Sequence, residues 1–153
     1  MRRGIYRALA LLASMAVVFL VIFPLAFSPG IELPSGEFPD NPFSLRVRIT
    51  NQNLTPYKDV DYTCESTNLE LATGRVLNDA RIVHHGSIKN FSGRRAITVR
   101  CETAYIVTDP LKAAEFKLVV KYRPYPWPVN RVSEYRIAAV IDSSGRITKW
   151  VQK

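Results

Sequence analysis

From Ala8 to Phe27 the chain reads ALALLASMAVVFLVIFPLAF, 20 residues without a charge, and no other feature constrains its folding so strongly. As a helix rising about 1.5 Å per residue, this run would be about 30 Å long, the thickness of a bilayer's hydrocarbon core. Arg2, Arg3 and Arg7 precede it, and the first charges after it are Glu32, Glu37 and Asp40. That bias keeps the N-terminus cytoplasmic and sends the remainder across the membrane. Residues 8–28 therefore read as a transmembrane anchor behind a basic cytoplasmic stub, residues 1–7. The alternative is a cleaved signal peptide, whose apolar region is usually about 7–15 residues and ends at a small-x-small site. The best such site, Ala26-Phe27-Ser28, is followed at once by Pro29, a poor setting for cleavage. The expected location is the cell membrane, crossed once, with the C-terminal domain periplasmic or extracellular.

Residues 29–42, PGIELPSGEFPDNP, hold four prolines and two glycines and read as an extended spacer, since proline cannot donate to a helix or central strand. At Phe43 the periodicity becomes two. Phe43, Leu45, Val47 and Ile49 alternate with Ser44, Arg46, Arg48 and Thr50, which predicts a strand with one apolar face. After the turn-rich NQNLTP, Val60, Tyr62 and Cys64 share one face of a second strand, with Asp59, Asp61 and Thr63 on the other. The two strands are expected to pair as a hairpin. One register sets Arg48 against Asp59 and Arg46 against Asp61 outside, with Val47 against Val60 and Leu45 against Tyr62 inside.

Further strands are expected near 67–72, 80–88, 96–103, 116–122, 133–141 and 146–151, the last two joined by the turn signal Asp142-Ser143-Ser144-Gly145. No helical periodicity of useful length follows the spacer. Eight short strands over 43–153 indicate one all-β domain, an immunoglobulin-like antiparallel β-sandwich preceded by the transmembrane helix.

Cys64 and Cys101 are the only cysteines. Cys64 shares a face with Val60 and Tyr62, and Cys101 with Ile97 and Val99, so both point inward from separate strands. On the translocated, oxidising side they should form a disulfide. Two buried thiols are the alternative. His84 and His85 are adjacent, point to opposite faces of a strand and cannot chelate one ion together. No metal or cofactor is expected, and no GxSxG, HExxH, CxxC or phosphate-cradling glycine loop marks an active site. Asn53-Leu54-Thr55 and Asn90-Phe91-Ser92 are formal glycosylation acceptors, used only in a eukaryotic secretory route.

The net charge of +8 suggests nucleic acid only until the three N-terminal arginines are set aside. Without them 21 basic residues become 18 against 13 acidic, scattered rather than run together. No nucleic-acid partner is expected.

Val47-Arg48-Ile49-Thr50-Asn51 followed by Pro56-Tyr57-Lys58-Asp59-Val60 resembles the first hairpin of bacterial extracytoplasmic immunoglobulin-like domains, including uncharacterised membrane-tethered ones. The resemblance covers some twenty residues. It implies fold and placement, and the family has no catalytic motif to carry over. Neither tryptophan lies between the cysteines, so the antibody pattern is not met.

The expected function is therefore a non-enzymatic, membrane-anchored interaction module, an accessory part of a cell-envelope or secretion assembly with a protein partner. The alternatives are a ligand-binding or sensing domain for an envelope component, and then an enzyme whose groups meet only in the fold. The segment Tyr122-Arg123-Pro124-Tyr125-Pro126-Trp127-Pro128-Val129-Asn130-Arg131 is the candidate contact loop, and alternate prolines should keep it out of either sheet. Tyr125 and Trp127 would anchor a partner, with Arg123 and Arg131 as polar rim. The same composition suits lipid headgroups. The competing reading folds Trp127 back over the end of the sandwich.

Overall fold

The computed structural model describes residues 6, 10–15, 28–34, 45–77, 83–101 and 109–153. Tyr6 and Ala10–Met15 are helical, while residues 8–9 and 16–27 of the apolar run lie outside the described residues. Among the described residues, no helix is long and apolar enough to cross a membrane.

The remainder is antiparallel β structure: β1 (Gly30–Glu32), β2 (Leu45–Asn51), β3 (Tyr57–Leu71), β4 (Val83–Phe91), β5 (Arg95–Cys101), β6 (Leu111–Pro124), β7 (Arg131–Ile141) and β8 (Ile147–Gln152). They form a three-stranded sheet, β1-β2-β5, and a five-stranded sheet, β4-β3-β6-β7-β8. The two bury one core between them, with Leu45, Val47 and Ile49 of β2 and Val99 of β5 on one side and Val60, Phe116, Leu118, Val120 and Ile137 on the other. Arg46 and Arg48 lie on the solvent side of β2, as the alternation predicts.

The expected hairpin does not form. β2 and β3 lie in different sheets, and residues 52–56 cross from one to the other. Val47 pairs with Val99 of β5 rather than with Val60, and Val60 pairs with Ile88 of β4. Arg48 finds its carboxylate on β1, where Glu32 lies 3.3 Å away, and Asp59 pairs with Arg123 of β6. Complementary charges on neighbouring strands suggested a register, but exposed pairs of this kind contribute only about 0–1 kcal/mol and cannot outvote the packing of two apolar faces.

β1 corrects a second expectation. Residues 30–32, read as part of the spacer, pair with Thr50, Ile49 and Arg48, and the Tyr135 hydroxyl donates to the Pro29 carbonyl. Gly30 permits this close approach, because a β-carbon there would lie 2.6 Å from Thr50 Oγ1. Residues 35–42 lie outside the described residues.

The third correction is one of length. The expected second strand, carrying Val60, Tyr62 and Cys64, and the one expected near 67–72 are a single strand of 15 residues, β3. Its register against β6 slips between Ser66 and Asn68, so Thr67 is an extra residue and the inward parity passes from Val60 and Cys64 to Leu69 and Leu71. A parity change of that kind reads in sequence as two strands. A similar slip between Lys58 and Asp61 holds Asp59 at φ 49° and lets both Tyr57 and Val60 point inward.

Candidate functional site

Cys64 on β3 and Cys101 on β5 form the disulfide, with Cα atoms 5.7 Å apart and both side chains buried. It bolts the two sheets together towards the end where Leu45 enters β2. His84 pairs with Cys64 and stacks on Tyr62 at 6.3 Å between ring centroids, while His85 pairs with Thr63 on the opposite face. Among the described residues, no group of three or more His, Cys, Asp or Glu side chains is placed to hold a metal ion.

A shallow cleft of about 400 Å³ lies at this end of the sandwich, between Ala72, Pro110, Lys112 and the turn Asp142–Gly145. Asp142 Oδ1 accepts from Ser144 Oγ at 2.6 Å, from Ser144 N at 2.8 Å and from Arg146 N at 3.0 Å. The Ser144 hydroxyl, ahead of the Arg146 amide, holds the Asp142 carboxyl below the usual range. This carboxylate shapes its own turn.

The opposite end is built differently. There the 52–56 crossing, the 92–94 turn and the 125–130 loop come together beside the point where the chain enters β1. Asn51, almost wholly buried, clamps the first two. Its Nδ2 contacts the carbonyls of Thr55, Phe91 and Ser92 at 3.0, 3.2 and 3.3 Å, and its Oδ1 accepts from Asn53 N at 3.1 Å. Arg94 N donates to the Asn53 carbonyl, and Asn53 Nδ2 donates to the Tyr57 hydroxyl at 2.6 Å. Tyr57 in turn packs on Tyr122 and Phe91, with ring centroids 4.9 and 6.2 Å apart.

The 125–130 loop is strapped to the same frame. Tyr125 N donates to the Pro56 carbonyl, Trp127 N to the Pro124 carbonyl, Arg123 is paired with Asp59, and Lys58 Nζ lies 5.3 Å over the Tyr125 ring. Strand β6 runs through Pro124 and β7 begins at Arg131, so Tyr122, Arg123, Pro124 and Arg131 of the candidate segment do pair into the sheet. Only 125–130 project. Trp127 is 37% exposed and Tyr125 51%, while Trp150 from β8 is buried in the core, edge-on to Phe116 at 5.5 Å. Of the four residues expected as a contact loop, Tyr125 and Trp127 thus stand outward, Arg131 is exposed, and Arg123 is held in an ion pair. Sequence reasoning missed Leu54 of the 52–56 crossing, Arg94 of the 92–94 turn and Arg95 at the start of β5, which come to the same end from distant parts of the chain.

The frame carries an alkaline signature. Burial pushes the Tyr57 phenol well above its ordinary range, against the opposing Asn53 hydrogen bond, and burial likewise raises Tyr135. Both favour the neutral phenol in the folded state, so their contribution is full below the ordinary phenol pKa of about 10 and is lost as pH rises beyond it. In an alkaline titration followed by tyrosinate absorbance, Tyr57 and Tyr135 should ionise only together with loss of β-sheet circular dichroism. Independent early ionisation of both would contradict the buried frame.

No protein-family model matches the chain, and no curated protein matches it.

Proposed function

We propose that this chain is a non-enzymatic, membrane-anchored interaction module, its immunoglobulin-like sandwich held outside the cytoplasm and its contact surface the end formed by residues 52–56, 92–94 and 125–130. The observation that carries the reading is the exposure of Tyr125 and Trp127 on a loop tied by backbone hydrogen bonds to Pro56 and Pro124, at the end that also carries the basic residues Lys58, Arg94 and Arg131. Aromatic rings and arginines cover much area for little entropic cost and are enriched where partners bind. Loops fixed on a stiff scaffold are the usual place for such contacts.

The anchor is supported by the 20-residue uncharged run and the three arginines before it, and the outside location by the same bias together with the disulfide. Strand order supports the immunoglobulin-like reading. Lettered along the chain as A, B, C, C′, E, F and G, β1 to β7 give sheets A-B-E and C′-C-F-G, with β8 added beyond G. The bridge then joins C to E, where antibody domains join B to F.

Trp127→Ala in the full chain tests the contact role. The domain should still fold, with a melting temperature lowered by only a few degrees, because Trp127 is not among the buried residues of the core. Material that co-purifies with the parent from detergent, protein or bound lipid, should be lost. A drop of several degrees with association intact would sink the assignment.

A further inference from the structure

We propose that the contact end of the sandwich lies against the membrane itself, seated in an anionic lipid interface by Leu54, Tyr125, Trp127 and Val129, with Arg94, Arg95 and Arg131 on headgroup phosphates. The inference rests on the anchored reading above and names the partner of the same surface.

The first argument is reach. The apolar run ends at Phe27 and β1 begins at Gly30, so three peptide steps, at most about 10 Å, separate the anchor from the sheet. Pro29 and Gly30 have no slack: the Pro29 carbonyl accepts from Tyr135, and Gly30 pairs with Thr50. The end of the domain where β1 starts is therefore the end next to the bilayer. A spacer running through residue 42 would have left the orientation open, but the strand at 30–32 closes that option.

The second argument is what this end presents. Outside the N-terminal segment, the described residues include seven exposed large apolar side chains: Leu54, Val76, Tyr125, Trp127, Val129, Val132 and Val140. Five of them, all but Val76 and Val140, are at the anchor-proximal end. Isolated exposed apolar residues are ordinary, whereas a cluster at one end of a small domain marks a surface that is covered. Tyrosine and tryptophan are the side chains that settle at headgroup depth, because each joins a broad apolar ring to a polar group.

The third argument is charge. This end carries Lys58, Arg94, Arg95, Arg123 and Arg131 against Asp59, which is already paired with Arg123. Such an excess is drawn to anionic headgroups and held within about 10 Å of them at physiological salt. The bonds from Asn51, Asn53 and Tyr125 tie the loops that carry these groups to one another.

The test uses the full chain reconstituted in vesicles of equal phosphatidylcholine and phosphatidylglycerol, with the phosphatidylcholine carrying brominated acyl chains as quencher. The Trp127 signal is the difference between the parent and Trp127→Phe, since Trp150 is buried in both. Trp127 emission should be quenched several-fold relative to unbrominated vesicles. Arg95→Glu combined with Arg131→Glu, two exposed changes, should relieve most of that quenching while the protein still floats with the vesicles. Flotation with no quenching of Trp127 in the parent would overturn the docking and leave the anchor standing, and a protein partner would then be the occupant of this end. Failure to float would overturn the anchor and the docking together. If the doubly substituted protein does not fold, quenching in the parent decides the matter alone.

Discussion

Replacing Cys64 and Cys101 together by alanine should lower the melting temperature of the domain by about 15 °C or more. The bridge closes a loop of 37 residues, and confining that loop in the unfolded chain is worth about 4 kcal/mol on the chain-entropy estimate. For a domain of this size each kcal/mol moves the midpoint by about 4 °C. Both side chains are buried, so truncating them adds a small cavity cost in the same direction. The intact native protein should show a mass two hydrogens below the reduced form. A shift of only a few degrees, or two thiols that alkylate without reduction, would mean that the sheets are held by packing alone.

Asn51→Leu should cost about 3 kcal/mol, a midpoint loss of about 10 °C, although the side chains are similar in volume. The amide serves three carbonyls and one amide hydrogen from the 52–56 crossing and the 91–92 segment, and leucine leaves those buried groups without their partner. A side chain this buried cannot be replaced by water without opening the end of the sandwich. Asn51→Asp supplies a second, signed result. An ionised carboxylate there would face the three carbonyls, whereas the protonated acid keeps a donor, so folding raises that acid's pKa. The variant should be most stable at acidic pH and lose stability as pH rises towards neutrality. Near-parental stability of Asn51→Leu would remove the clamp from the account.

These two groups were unequally legible in the sequence. The disulfide could be read because its evidence is local: Cys64 keeps the parity of Val60, and Cys101 that of Val99, and alternation survives over those few residues of β3 and β5. The inward face of β2 was legible for the same reason. Asn51 could not be recognised as a clamp, since its partners at 91 and 92 come from β4 and the turn after it, and only the fold brings them near. Bulges hid the continuity of β3, where Thr67 shifts every later side chain to the other face. Prolines at 29 and 34 disguised β1, because a strand of three residues shows no periodicity and depends on an edge of β2 being available.

The proposed contact surface divides in the same way. The aromatic and proline alternation at 124–128 marked a projecting loop, and 125–130 do project. The paired positions of Arg123 and Arg131 were not visible, because proline at 124 argues against a strand there. In the fold Pro124 ends β6 opposite Tyr57, where the ladder is closing and a missing donor costs little. Leu54, Arg94 and Arg95 joined the surface through topology alone.

The side of the membrane on which the sandwich lies decides whether the proposed placement holds. A reporter enzyme active only outside the cytoplasm, fused after Lys153 of the full chain, measures this directly, with a reporter active only inside as its complement. The anchored reading predicts activity of the first alone, with the fusion retained in the membrane fraction after alkaline carbonate washing. Activity of the second reporter would contradict the proposed location, and release of an active fusion by the wash would contradict the anchor.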